Sequence, residues 1–296
     1  MAKTPKPGIL SQGTIPEGVL VPAGGQGYHR KMPPIPAWPY PRWIAHRGAG
    51  TLAPENTLPA FALGARHGWR MFECDARLSA DGVLFLLHDH TLERTTNGSG
   101  PAGQRSIGAL AQLDAGSWHS RAYAGAAIPT LEALVLFCLA NGLLLNVEIK
   151  PNPGQAQQTG QAVGELLARL WPDDRPAPLL SSFHPSALDG ARSTAPALPR
   201  GLLVDSFAAG AGDGRIALTQ AAALDCRALI LNYRLWLEHP ALVAQAHGAA
   251  LRCLGYTVND PSDAQRLIGL GIDGLITDRI DLFASALPGQ SDLNRQ

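Results

Sequence analysis

His46 and Arg47 stand side by side at the end of the apolar run WIAH, immediately before Gly48. An imidazole moves protons near neutral pH and a guanidinium holds oxyanions in a fixed fork. The pair reads either as a strand end that meets solvent or as a proton carrier beside an anion clamp. Glu73 and Asp75, in MFECDAR, are two residues apart. On a strand both carboxylates point to one face and Cys74 to the other. Two like charges among apolar neighbours are costly unless a cation lies between them. LLLNVEIKP repeats the arrangement with Glu148 and Lys150 on one face, and VLFLLHDH ends another apolar run in a second imidazole, His88.

Three carboxylates that offer only oxygen favour one hard divalent cation, Mg2+ or Ca2+, over zinc. No Ser or Cys is placed as an activated nucleophile. Two imidazoles, three carboxylates (Glu73, Asp75, Glu148) and the cations Arg47 and Lys150 suit hydrolysis of a phosphodiester. The positive groups neutralise the transferring phosphoryl group and the imidazoles move protons on and off oxygen. Singly, each motif has a plainer reading: a strand-end histidine, a solvated edge strand, a same-face ion pair. Their joint occurrence at successive strand ends argues for a site.

Other polar residues read less sharply. Glu55, Asn56 and Thr57 either line the pocket or, for Asn56 and Thr57, cap the first helix. Trp118 is an aromatic wall for substrate or plain packing. Arg94 to Gly98 looks like turn chemistry in a loop that follows His88 directly. His67, His90, His184 and His247 read as surface or loop residues.

These side chains need a scaffold that gathers strand ends. From residue 43 onward, apolar runs at 43–46, 71–77, 83–88, 143–149, 178–183, 201–205, 228–232, 251–258 and 274–277 alternate with helical patterns such as TLPAFALGARHG. Near-continuous hydrophobic strands between helices predict parallel strands covered on both faces. About eight units predict an α/β fold of the (β/α)8 TIM-barrel type, with the site at the C-terminal ends of the strands. The linker LSADG is too short for a helical crossover. The run 83–88 is therefore expected to pair antiparallel with 71–77, or else to take a barrel place without its own helix.

Residues 1–42 are rich in Pro and Gly, show no periodicity and read as a poorly ordered arm. Residues 43–287 read as the barrel and 288–296 as a tail. Lys plus Arg and Asp plus Glu both total 24, so no net field exists to collect nucleic acid or an anionic membrane. The four cysteines lack metal spacing and read as reduced core residues. No signal-peptide pattern or membrane-spanning run is present, so a cytoplasmic location is expected.

In order, HRGAGTLAPENT, ECDARLSADGVLFLLHD, LERTTNG, NVEIKP, SSF, YTVN and DGLITD resemble the glycerophosphodiester phosphodiesterases, from Trp38 to about Phe283. WPYPRWIAHRG, LAPENTL, DAGSW and LPRGLL are similar to the cytosolic bacterial members that serve glycerol-phosphate uptake. The resemblance implies metal-dependent hydrolysis of small glycerophosphodiesters to sn-glycerol 3-phosphate and an alcohol. It matches Glu73, Asp75 and Glu148 to metal ligands, His46 and His88 to the acid/base pair, and Arg47 and Lys150 to phosphate contacts. Glu55, Asn56, Trp118, Ser182, Tyr256 and Asn259 are possible pocket residues. Tyr256 replaces the usual Trp, Cys74 a more usual apolar residue, and the large insertion of periplasmic members is absent. On this reading His46 deprotonates water or the glycerol 2-hydroxyl and His88 protonates the leaving alcohol. A monomer or homodimer, with no nucleic-acid partner and no stable membrane association, is expected. A lysophospholipase D, a non-catalytic binding barrel and a metal-dependent sugar isomerase are the rival readings.

Overall fold

The computed structural model describes residues 38–207 and 214–283. Nine strands occur in this region: β1 (Trp43–Ala45), β2 (Met71–Leu78), β3 (Leu84–Leu86), β4 (Leu144–Ile149), β5 (Leu179–Ser182), β6 (Arg200–Val204), β7 (Ala228–Asn232), β8 (Arg252–Tyr256) and β9 (Gly274–Thr277). All but β3 pair in parallel, and β1 bonds to both β9 and β2, which closes an eight-stranded barrel. The expected fold is therefore the observed one.

Burial explains the strand composition. All eight residues of β2 are buried, because one face lines the barrel and the other meets the helices. Ile44, Met71, Leu179, Ile230, Leu254 and Ile276 form one cluster, and a larger cluster joins the remaining strand residues to the helices. Local chemistry sets helix starts. Thr130 accepts the Ala133 N–H before α3 (Leu131–Asn141), and Asp260 accepts two N–H groups before α9 (Pro261–Gly269).

The short run 83–88 takes the first of its two expected places. Only Leu84–Leu86 is strand, and it pairs antiparallel with β2 outside the barrel. Ser79 makes the turn: its N–H donates to the Val83 carbonyl, and its hydroxyl accepts the Val83 N–H. His88 thus comes from the outer hairpin and not from a barrel strand. The excursion that follows, up to α3, has its own core of Phe85, Leu87, Leu92, Leu110, Ala115 and Ile128.

Residues 38–42, grouped with the arm on composition, belong to the folded unit. Tyr40 is buried, donates its hydroxyl to the Ala177 carbonyl at 2.6 Å and meets Trp38 edge-on. Residues 1–37 and 288–296 lie outside the described residues. All four cysteines are buried and free.

Candidate active site

The loop between β1 and helix α1 (Leu58–Arg66) turns sharply at Arg47, whose φ is 50°. This left-handed turn aims the Arg47 N–H at Glu73 Oε2, 3.2 Å away, while the side chain reaches Asp75, with Nε 3.1 Å from Oδ2. Gly50 lets the same loop lie against the Asp278 carbonyl, with which a Cβ would collide. The Thr51 N–H donates to that carbonyl at 3.1 Å.

Glu73, Asp75 and Glu148 project from β2 and β4, and one oxygen of each lies within 4.8 Å of the others. Register brings them together, since Asp75 pairs directly with Glu148. All three are buried, and Glu73 Oε1 and Asp75 Oδ1 have no hydrogen-bond partner. Burial and the neighbouring Asp75 charge push Glu73 up to about 8, and the same causes raise Glu148. Burial also opposes ionisation of Asp75, but Arg47 and Lys150 outweigh it and hold the carboxyl below the usual range. Lys150 Nζ lies 2.7 Å from Glu148 Oε1 and 3.5 Å from Asp75 Oδ1. Unpartnered buried oxygens in an all-carboxylate set fit a hard divalent cation, for which they would be ligands.

Each imidazole is oriented by an aspartate. His46 Nδ1 lies 2.6 Å from Asp278 Oδ1, and His88 Nδ1 lies 2.7 Å from Asp89 Oδ1. Both aspartates have lowered pKa values and can only accept, so each Nδ1 carries the hydrogen and each Nε2 is left for chemistry. His46 Nε2 lies 3.7 Å from Glu73 Oε2. Burial works against a charged His46, but the Asp278 hydrogen bond and Glu73 outweigh it and raise its pKa. Burial dominates at His88 and lowers it. Two cavities of about 420 Å3 open at the mouth. One is lined by His46, Arg47, Glu55, Trp118 and Asp278, the other by His88, Glu148, Lys150 and Phe183.

The remaining candidates separate. Asn56, with φ 58°, is buried and does not cap α1 (Leu58–Arg66). It donates Nδ2–H to Asp75 Oδ2 at 2.7 Å and accepts the Asp75 N–H at 3.1 Å. Thr57 holds the N-cap position but donates its hydroxyl to the Pro54 carbonyl. Trp118 lines the His46 cavity. Tyr256 meets Phe183 edge-on, and Lys150 Nζ lies 5.6 Å from the Phe183 ring. Asn259 donates to Asp278 Oδ2 and accepts the Asp278 N–H. Ser182 donates its hydroxyl to the Ile149 carbonyl and braces neighbouring strands. His90 and His184 line the His88 cavity, while His247, on α8 (Ala241–Gly248), pairs with Asp273 at 2.8 Å.

Sequence reasoning missed Asp89, Asp278, Arg77 and the part played by Arg94. Arg77 is buried and donates to the carbonyls of Leu87, His88 and Lys150, so it fixes the backbone beside two functional side chains. Asp89 follows His88, and Asp278 ends DGLITD directly after β9, so strand-end position was the available signal for both.

Fold and site define a class: a (β/α)8 barrel whose buried acidic set and oriented imidazoles meet at the C-terminal mouth, where barrel enzymes carry their chemistry. The chain belongs to the glycerophosphoryl diester phosphodiesterase family, whose model matches residues 46–282. It is 31% identical to a glycerophosphodiester phosphodiesterase of Caldanaerobacter subterraneus, over 79% of this chain and 93% of that one. Among solved structures, an Oleispira antarctica phosphodiesterase in complex with the product sn-glycerol-3-phosphate is 34% identical, with a TM-score of 0.76 over 83% of this chain and 96% of that one. A glycerophosphodiester phosphodiesterase from Agrobacterium tumefaciens is 28% identical, with a TM-score of 0.69 over 82% and 99%.

Proposed function

We propose that this chain hydrolyses glycerophosphodiesters to sn-glycerol 3-phosphate and an alcohol, with one divalent cation held by Glu73, Asp75 and Glu148. The observation that carries the reading is the buried trio Glu73, Asp75 and Glu148, in which Glu73 Oε1 and Asp75 Oδ1 accept no hydrogen bond and Asp75 Oδ1 has only the Lys150 ammonium at 3.5 Å, beside two Asp-oriented imidazoles. Family membership supports the reaction class. When bound, the cation supplies Lewis-acid polarisation of the phosphoryl group. Mg2+ is the first expectation and Ca2+ the second.

Arg47 and Lys150 hold non-bridging phosphate oxygens and stabilise the charge that builds there. His46 accepts the proton of the attacking hydroxyl, whether water or the glycerol 2-hydroxyl of the substrate, through Nε2, which the Nδ1 contact with Asp278 leaves free. His88 protonates the leaving alcohol from its Nε2, with Nδ1 held by Asp89. Asp89 and Asp278 fix the two rings so that neither turns away during proton transfer.

Zero net charge and four free, buried cysteines support action in the cytoplasm on small molecules, without nucleic acid or stable membrane association, as a monomer or homodimer. No helix of the described residues is long and apolar enough to cross a membrane. The test is release of glycerol 3-phosphate from glycerophosphocholine and glycerophosphoethanolamine, coupled to glycerol-3-phosphate dehydrogenase, with Mg2+, with Ca2+ and after chelation. Metal-dependent release from both is expected. Folded protein that releases none under any condition refutes the reading.

A further inference from the structure

Arg94 lies on the excursion after β3, and its side chain makes two forked contacts at once. Nε and Nη2 donate to Asp89 Oδ2 at 2.6 Å and Oδ1 at 3.1 Å. Nη1 and Nη2 donate to Glu55 Oε2 at 2.7 Å and Oε1 at 2.8 Å. Each carboxylate in turn holds a group of the site. Asp89 orients His88, and Glu55 accepts from Arg47 Nη1 at 3.0 Å. One unbroken chain therefore runs from His88 through Asp89, Arg94 and Glu55 to Arg47.

We propose that Arg94 is a positioning residue that couples the proton carrier to the phosphate clamp, locking Asp89 against His88 and Glu55 against Arg47. The inference rests on the reading of His88 as a proton carrier. Asp89 and Glu55 come from different loops, and Arg94 is the cation that joins them. Without it, Asp89 loses both forked donors and is free to rotate, which releases the Nδ1–H tautomer that presents Nε2 to substrate. Glu55 keeps only Arg47 and draws that guanidinium away from phosphate. A planar fork is required to serve four carboxylate oxygens, and an ammonium group cannot reproduce it.

A purely stabilising role makes the opposite forecast. The Arg94 side chain is 43% exposed, and exposed ion pairs contribute little to stability. Its removal is expected to leave the melting temperature nearly unchanged and to act on turnover.

The experiment measures kcat, KM and melting temperature for Arg94→Ala, Arg94→Lys, Asp89→Asn, the Arg94→Ala/Asp89→Asn double variant and His88→Ala, with glycerophosphocholine and Mg2+. Nitrogen-15 spectra of the His88 ring accompany the kinetics. Losing an orienting partner typically costs about 10- to 100-fold, and this is the expected fall in kcat for both Arg94→Ala and Arg94→Lys. KM is expected to rise as well, because Arg47 is drawn from the phosphate. The double variant is expected to be no more than about threefold below the worse single variant, since both act on one imidazole. The His88 ring is expected to change from one tautomer to a mixture. A kcat for Arg94→Ala within about twofold of wild type, multiplicative losses in the double variant, or an unchanged His88 tautomer overturns the proposal. Near wild-type turnover of His88→Ala overturns the underlying reading of His88 instead.

Discussion

Replacing Asn56 by Ala tests how the acidic set is held in place. Asn56 is 2% exposed, sits at φ 58° and makes two hydrogen bonds to one residue, Asp75. The Nδ2–H bond to an ionised carboxylate at 2.7 Å stabilises by about 1.5–3 kcal/mol, and the buried Asp75 N–H left without an acceptor costs about 1–3 kcal/mol. Alanine in the left-handed region adds about 1–2 kcal/mol, a strain that Asn tolerates better and Gly avoids. These terms share one site and do not sum freely, so a loss of about 4 kcal/mol is expected. Asn56→Gly should be about 1 kcal/mol less destabilised than Asn56→Ala, because it lacks the same bonds but not the backbone freedom. Urea unfolding of wild type and both variants, in chelator, provides the comparison. A loss below about 1 kcal/mol for Asn56→Ala, or a glycine variant no better than alanine, refutes the reasoning.

Further outcomes follow from other contacts. His88→Ala and His46→Ala are each expected to lower kcat by roughly 10²- to 10⁴-fold, measured by steady-state kinetics. Burial lowers the His88 pKa below the ordinary imidazole value of 6.5. The same shift makes the unfolded chain bind more protons than the folded one just below pH 6.5. This contribution to stability therefore falls as pH drops from 6.5, and unfolding of His88→Ala should lack that slope. Glu73→Gln is expected to weaken Mg2+ binding in calorimetry while leaving the barrel folded. Tyr40→Phe removes the 2.6 Å bond to the Ala177 carbonyl and is expected to cost about 1 kcal/mol in urea unfolding.

The parts of this molecule legible in the sequence are those that obey a short period. Glu73 and Asp75 were readable because a strand repeats every two residues, and Glu148 with Lys150 for the same reason; the pairing of Asp75 with Glu148 depends on strand order and register, which no local period encodes. The short linker limited the run 83–88 to two places, and only the fold shows that it pairs antiparallel with β2 outside the barrel. What stayed hidden depends on distance in the chain. Asp278 is 232 residues from His46, and Glu55 is 39 from Arg94, so no local rule connects them. Asn56 was left between two readings because a polar residue beside a helix start satisfies a capping pattern, and only the fold shows that its side chain has turned to Asp75. Tyr40 was grouped with a proline-rich arm on composition, although one aromatic ring fills a barrel end regardless of its neighbours.

The excursion after β3 closes around its own small core, separate from the two clusters of the barrel. His88, Arg94 and Trp118 belong to that stretch, whereas His46 and the three carboxylates belong to the barrel and its loops. Protection against hydrogen exchange should divide along this line. Amides between His88 and Thr130 are expected to share one opening free energy lower than that of β2 and β4, as a cooperative unit built on that core. Local opening would then displace His88, Arg94 and Trp118 and leave Glu73, Asp75 and Glu148 in place. A chain of this design can rebuild its substrate-facing wall by exchanging one self-supporting segment, with the acidic floor untouched.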